Sequence, residues 1–182
     1  MYVALVHHPV LGRQGETIAS AVTNLDLHDI ARAAKTYGAA GYYVVTPLED
    51  QKRLVERITA HWTTGGGSRY NPLRARAFDL IRVCDSLADA TAHAGAEAGA
   101  DPLVVATSAR RHPAAVSVNF VKDRLRQVPV MLVFGTSWGL APELLDRVDH
   151  VLEPLAGKTE YNHLSVRSAV SIILDRLAGD RV

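Results

Sequence analysis

Short apolar runs alternate with amphipathic segments along this chain, and the alternation predicts its fold. The runs PLVVATSA (102–109) and VPVMLVFG (128–135) contain no alternating polar positions, which is typical of strands covered on both faces. The segment LDLHDIARAAKTYG instead repeats its apolar side chains at helical spacing, and the repeat places four of them on one face: Leu27, Ile30, Ala31 and Ala34. Strands that alternate with helices indicate an α/β fold, in which a mostly parallel sheet is covered by helices on both faces.

The same patterns, together with glycine and proline positions, give approximate bounds for each element. Strands are predicted at 2–8, 41–47, 80–84, 102–109, 128–135 and 150–155. Helices are predicted at 25–38, 48–62, from 72 onward, and at 86–98, 118–127, 142–147 and 164–177. We expect a polar loop at 12–23 and a flexible turn at 63–72. Asn162 or His163 is expected to cap the last helix.

Three loops follow predicted strands and are candidates for binding a ligand: 107–109, 135–139 and 154–163. In parallel sheets, ligands bind beyond the carboxyl ends of the strands. Gly135 and Gly139 lack Cβ atoms, so we expect them to let a ligand approach the backbone closely. Two polar, glycine-bearing loops at neighbouring strand ends predict a cleft for a small polar ligand. Trp138 either covers an apolar face of that ligand or lies in the core.

The composition is that of an ordinary globular protein. The 182 residues suit one domain, spanning 1–182, with a sizeable core. Hydrophobic residues make up 48%, but no apolar run approaches the about 20 residues of a membrane-spanning helix, and the first residues lack a signal-peptide pattern. Cys84 is the single cysteine, which excludes a disulfide framework. We therefore expect a cytoplasmic protein that binds neither a membrane nor a metal ion.

The charge balance restricts how nucleic acid can be bound. Twenty Lys+Arg and 19 Asp+Glu leave a formal charge of +1, so binding to phosphate must use a local basic patch. The best such patch is formed by Arg69, Arg74 and Arg76 beside GGGS, with Arg110 and Arg111 after TSA. A solvated loop is an equally compatible interpretation of these arginines.

The segment 135–139, GTSWG, matches the G-x-S-x-G nucleophile elbow of serine hydrolases. Asp146 and Asp149 follow, and then His163, in the order that a Ser-Asp-His triad requires. Only 26 positions separate Ser137 from His163, however, and one predicted strand lies between them, where the hydrolase fold needs two. Pro142 is expected to begin the next helix several residues after Ser137 rather than directly behind it. The sequence therefore argues against Ser137 as a nucleophile.

Longer stretches resemble a known family. FGTSWGL, the later YNHLSVRSAVSIILDRL and the earlier AVTNLDLHDIARAAKTYGAAGYYVVTPLE are similar to segments of SPOUT-class RNA methyltransferases, and most similar to a small bacterial single-domain family. HW, NP and TSA also match, so the resemblance covers essentially the whole chain. It implies a SPOUT/α-β knot with a deep C-terminal trefoil knot, a homodimer, S-adenosylmethionine as cofactor and RNA as substrate.

The resemblance also implies site residues. Arg32 stands at the arginine of the first motif, where it would hold an RNA phosphate or stabilise charge at the acceptor, and Asp26 or Asn24 stands near that motif's asparagine. The third motif typically reads Ser-Leu-Asn-Val; here it is HLSV, and its His163 is a candidate catalytic base. The cofactor pocket is predicted from Thr107, Phe134, Gly135, Gly139, Leu155, Gly157, Asn162, Leu164 and Ser165.

The sequence leaves open which RNA, nucleotide and atom is methylated. The second motif of the better-studied 2′-O-methylating branch typically carries a glutamate in its glycine turn, and GTSWG has none. Because the asparagine and glutamate of these motifs are missing, a second hypothesis stays open: the chain is a non-catalytic RNA- or cofactor-binding dimer of the same fold. A serine hydrolase that uses Ser137 is the third.

Overall fold

The computed structural model describes residues 1–179. Its strands are β1 (Tyr2–Val6), β2 (Val10–Leu11), β3 (Thr17–Ile18), β4 (Gly41–Val45), β5 (Ile81–Cys84), β6 (Leu103–Thr107), β7 (Ala115–Val116), β8 (Val130–Gly135) and β9 (His150–Leu152). Its helices are α1 (Asn24–Thr36), α2 (Glu49–Thr63), α3 (Gly66–Tyr70), α4 (Pro72–Phe78), α5 (Leu87–Ala98), α6 (Val118–Arg124), α7 (Pro142–Leu145) and α8 (Val166–Ala178).

A seven-stranded sheet in the order β5-β4-β1-β8-β6-β9-β7 forms the centre of the fold. Every pairing within it is parallel, whereas β2 and β3 form a separate antiparallel hairpin. All residues of β1 and β4 are buried, as the unbroken apolar runs predict for strands covered on both faces. The predicted α/β fold with a mostly parallel sheet is confirmed.

Each face of the sheet carries its own apolar core. Tyr42 points into the core that contains the α1 and α8 side chains, while the next residue, Tyr43, points into the core on the α5 side. Within α1 the predicted stripe of Leu27, Ile30, Ala31 and Ala34 is fully buried. Full burial of a leucine or isoleucine side chain stabilises the fold by about 1.5–3 kcal/mol, so this stripe fixes α1 against the sheet.

Several local predictions were wrong. Residues 12–23 are not simply a polar loop, because they contain β3 and complete the hairpin. Residues 63–72 are not a flexible turn, because they contain α3, and a Cβ on Gly67 would lie 2.7 Å from Cε3 of Trp62. The glycines there allow close packing onto the tryptophan. Neither Asn162 nor His163 caps the last helix: Ser165 Oγ accepts the bond from the Ser168 amide at 3.3 Å.

No helix within residues 1–179 is both long enough and apolar enough to cross a membrane. The threading of α8 through a loop, which would make the trefoil knot, stays a prediction.

Candidate functional site

A cavity of about 790 Å³ opens where the loops after β6, β8 and β9 meet the start of α8. Cavities of about 300–1,000 Å³ are typical of small-molecule sites. A further part of the wall comes from Ser20, Ala21 and Thr23 between β3 and α1 and from Asp26 in the first turn of α1. The site therefore lies at the carboxyl edge of the sheet, as predicted.

Most of the predicted cofactor residues come together here. Gly157 does not line the cavity, whereas the predicted base His163 does. The lining includes Thr107, Phe134, Gly135, Gly139, Leu155, Asn162, Leu164 and Ser165.

The hairpin formed by β2 and β3 holds the glycine turn 135–139 in place. The Leu11 amide donates to the carbonyl of Gly139 at 2.9 Å, and the Trp138 amide donates to the carbonyl of Leu11 at 3.1 Å. Gly139 has a φ of 105°, in the left-handed region that favours glycine, and Ser137 has a φ of 54°. The turn is thus hydrogen-bonded to β2, a strand that the sequence did not predict.

The structure gives Gly135 a role different from the predicted one, in which the missing Cβ lets a ligand approach the backbone. A Cβ on Gly135 would lie 2.7 Å from the Leu140 amide nitrogen and 2.9 Å from the Leu140 side chain. The space that the glycine leaves is therefore filled by the protein itself. Gly135 shapes the turn through internal packing, whereas a Cβ on Gly139 would meet nothing within 4 Å.

Three polar side chains of the predicted pocket bind protein groups. Thr107 Oγ1 donates to the carbonyl of Val133 at 3.0 Å, and Asn162 Nδ2 donates to the carbonyl of Ala109 at 3.0 Å. Ser165 is occupied as the cap of α8. These bonds connect the loops to one another, so these three side chains are already engaged within the protein.

Large apolar side chains remain exposed around the cavity. Trp138 is 52% exposed and Leu164 is 48% exposed, and both line the cavity. Trp138 is therefore not a core residue. Its position allows the other interpretation, in which its ring covers an apolar face of a ligand.

The nucleophile interpretation of Ser137 finds no support in its surroundings. Within residues 1–179, no histidine side chain forms a hydrogen bond to Ser137. Its helix, α7, begins at Pro142, as the sequence argument required. Ser137 has no base in place to activate it.

A partly buried polar network beside the turn was not predicted. Thr136 Oγ1 lies 2.5 Å from Ser20 Oγ, and Ser20 Oγ lies 3.1 Å from Nδ1 of His7. Thr136 also donates to the carbonyl of Val6 at 3.1 Å. Burial lowers the pKa of His7 to about 4, so its ring is neutral near pH 7. The network connects the end of β1, the cavity wall and the glycine turn.

A second unpredicted group contains an ion pair. Arg167 on α8 reaches Asp26 Oδ1 with Nη1 at 3.5 Å and Asp29 Oδ2 with Nε at 3.5 Å. Asp26 and Arg167 both line the cavity. The apolar spacing of α1 placed Asp26 near the helix start but gave no sign that α8 would supply its partner.

Arg32 lies elsewhere, because it is exposed on α1 and does not line the cavity. Its neighbour His28 packs edge-on against Trp62 at 5.3 Å, and the Arg74 guanidinium lies 4.4 Å from the centre of the Trp62 ring. Burial, followed by the positive charges of Arg74 and Arg32, lowers the pKa of His28, while Asp29 acts against this. We call His28, Arg32, Trp62 and Arg74 the arginine–tryptophan patch.

The predicted RNA-binding arginines divide between two places. Arg110 lines the cavity, and Arg111 follows it as an exposed residue. Arg74 belongs to the arginine–tryptophan patch, Arg69 is exposed on the adjoining helix α3, and Arg76 is exposed on α4. Within the described residues, none of these five has a carboxylate oxygen within 4.0 Å, so their charges are available to an anion.

Comparison with known sequences gives a consistent match. The model of a family described as SAM-dependent RNA methyltransferase matches residues 1–179. A protein of Nitratidesulfovibrio vulgaris named tRNA (guanine-N(1)-)-methyltransferase is 48% identical over 180 residues, which cover 99% of this chain but 42% of that protein. An uncharacterized protein of Aquifex aeolicus is 37% identical over 179 residues, covering 97% of this chain and 87% of that protein.

Comparison with solved structures concerns the fold. A probable methyltransferase from Bordetella pertussis superposes with a TM-score of 0.65 at 17% identity, covering 97% of this chain and 93% of that one. The SpoU methyltransferase AviRb from Streptomyces viridochromogenes, solved in complex with AdoMet, gives a TM-score of 0.59 at 19% identity, covering 98% and 56%. At these identities, the likeness shows a shared fold.

Proposed function

The chain belongs to the family of S-adenosylmethionine-dependent RNA methyltransferases, and we propose that it transfers a methyl group from this cofactor to RNA. The chain spans 42% of the length of its N. vulgaris relative, so the activity in that relative's name belongs to a longer protein. The observation that carries the proposal is the cavity at the carboxyl edge of β6, β8 and β9, where the family motifs meet.

The lining of this cavity fits S-adenosylmethionine. Leu140, Leu155 and Trp138 offer apolar surface for an adenine ring, and the turn 135–139 offers main-chain groups. The bound cofactor would supply an activated methyl group on its sulfonium, so the protein has mainly to position the acceptor and accept a proton. AviRb, which shares the fold, binds AdoMet, and this supports the assignment.

The free arginines suit the RNA backbone. Arg110 at the cavity would neutralise a phosphate next to the target nucleotide, and the arginine–tryptophan patch would hold a more distant one. Arg32 would then act through RNA positioning, since it does not line the cavity. His163 lines the cavity and remains a candidate proton acceptor.

A homodimer would complete the site. Leu25 is 60% exposed on α1 next to the cavity residue Asp26, and Trp138 and Leu164 are about half exposed. Exposed apolar groups of this size at a cavity rim are typical of a surface that is covered by a partner. A second copy seated here would exclude water from the cavity.

The N. vulgaris relative is named for tRNA, so total tRNA is the first substrate to test. We expect calorimetry to detect S-adenosylmethionine binding and a tritium assay to detect methyl transfer to RNA. Cofactor binding without transfer to any RNA would instead favour the non-catalytic dimer. Absence of both would contradict the proposed function.

A further inference from the structure

Among the acids that line the cavity, Asp26 differs from the others in its burial. Its residue is 6% exposed, whereas Glu153 and Glu160 are exposed to solvent. A buried carboxylate is costly unless it is hydrogen-bonded or paired. Its position at a cavity wall therefore needs an explanation.

Two neighbouring side chains contact the carboxylate of Asp26. Thr23 Oγ1 donates to Asp26 Oδ2 at 2.6 Å, and Arg167 Nη1 lies 3.5 Å from Asp26 Oδ1. The bond from Thr23 belongs to the cap of α1, because the Asp26 amide in turn donates to Thr23 Oγ1 at 3.2 Å. The cap accounts for one carboxylate oxygen. Among residues 1–179, the other is held only by the long contact with Arg167, which leaves it capacity to accept another hydrogen bond.

The predicted cofactor residues on the cavity wall come from the ends of β6 and β8, from the loops after β8 and β9 and from the residues just before α8. The wall from Ser20 to Asp26 contains none of them and would face the acceptor nucleotide. We propose that Asp26 is a catalytic residue that accepts the acceptor's proton, and that the acceptor is a ring N–H of a nucleobase rather than a ribose hydroxyl. This inference rests on the proposed methyl transfer.

The low basicity of a carboxylate favours a nucleobase N–H over a ribose hydroxyl as the methyl acceptor. A carboxylate is a weak base, and a ribose hydroxyl is a much weaker acid than the N–H of a nucleobase that lies next to a carbonyl. In the step, the ring nitrogen forms a bond to the methyl carbon, and the carbon–sulfur bond breaks with its electron pair going to sulfur. The N–H proton passes to the Asp26 carboxylate and from there to water.

The test uses two isosteric variants that each remove one carboxylate partner of Arg167. Asp26→Asn should keep cofactor affinity within about threefold and lower the single-turnover rate by about 100-fold or more, the usual contribution of a general base. Asp29→Asn is the matched control, because Asp29 pairs with the same arginine but does not line the cavity. Its rate should stay close to that of the wild type.

The pH profile separates a base from a structural role. In Asp26→Asn the rate should rise about tenfold per pH unit between pH 6 and 8, as the ring nitrogen loses its proton unaided, while the wild-type rate stays flat. Asp26 is faced by Arg167 from α8, His7 after β1, Tyr42 on β4 and Asp29 on its own helix. Burial keeps His7 neutral, with a pKa of about 4, and raises the pKa of Tyr42, and arginine stays protonated, so none of these three titrates in this range.

The methylated product gives an independent readout. After transfer of a tritiated methyl group, alkali should release the label as mononucleotides, because a base methyl leaves the ribose hydroxyl free. Label in alkali-resistant dinucleotides would place the methyl on ribose and overturn this inference while leaving the proposed function intact. Equal losses of rate in Asp26→Asn and Asp29→Asn would show that Asp26 acts only by holding Arg167, and would contradict its role as a base. Loss of cofactor affinity in Asp26→Asn would make it a cofactor ligand. A wild-type protein without methyl-transfer activity would contradict the proposed function together with this inference.

Discussion

Acidification should destabilise this protein through His7. The side chain is fully buried, and burial lowers its pKa from 6.5 to about 4 in the folded state. Between these two values the unfolded chain binds the proton more readily, so the free energy of unfolding must fall as the pH falls from 6.5 towards 4. Each pKa unit corresponds to about 1.4 kcal/mol, so His7 alone should cost about 2 kcal/mol between pH 7.5 and pH 5 and about 3 kcal/mol at pH 4.

Other groups also titrate in this range, so a variant is needed to isolate His7. His7→Gln keeps a hydrogen-bonding side chain but cannot be protonated, and urea unfolding at pH 7.5, 6 and 5 would measure the difference in slope. His93→Gln is the matched control, because His93 also bonds a hydroxyl, that of Tyr43 at 2.9 Å, but is exposed. A pH dependence in His7→Gln as steep as that of the wild type would refute the argument.

Three further predictions concern the site. Gly135→Ala should destabilise the fold by about 1–3 kcal/mol, since its Cβ would meet the Leu140 amide at 2.7 Å, whereas Gly157→Ala should be nearly silent in the same thermal melt because nothing lies within 4 Å. Arg32→Ala should keep cofactor affinity but lose most methyl transfer, and the slope of log K for RNA binding against log salt concentration should fall by about 1. Arg126→Ala, at an exposed arginine outside the arginine–tryptophan patch, should change neither methyl transfer nor this slope. Unaltered RNA binding in Arg32→Ala would show that the patch does not bind RNA. Ser137→Ala should retain full methyl-transfer activity. A variant that still binds the cofactor but has lost this activity would support Ser137 as a nucleophile.

The central sheet was predictable because its strands are buried on both faces. Such strands appear as unbroken apolar runs, and β1, β4 and β8 lie within the predicted ranges. Strands β2, β3 and β7 have two residues each, which is too short to show any periodicity. They were missed for that reason, although the β2–β3 hairpin holds the turn of the proposed cofactor site.

The loops of the site were predictable from glycine positions and the strand order, but its partners were not. His7 and Ser20 lie 13 residues apart, and Arg167 lies 141 residues from Asp26. Only the packing of α8 against α1 brings the last two together. The apolar stripe of α1 showed that Arg32 leaves the core, but whether it faces the cavity or α4 depends on how these helices pack.

The most direct test of the account is a paired measurement on the purified wild-type chain: calorimetric titration with S-adenosylmethionine, followed by single-turnover transfer of a tritiated methyl group to total tRNA and total rRNA. We predict one cofactor site per chain and label incorporated into RNA. A chain that binds no cofactor at millimolar concentration and labels no RNA would contradict the central claim.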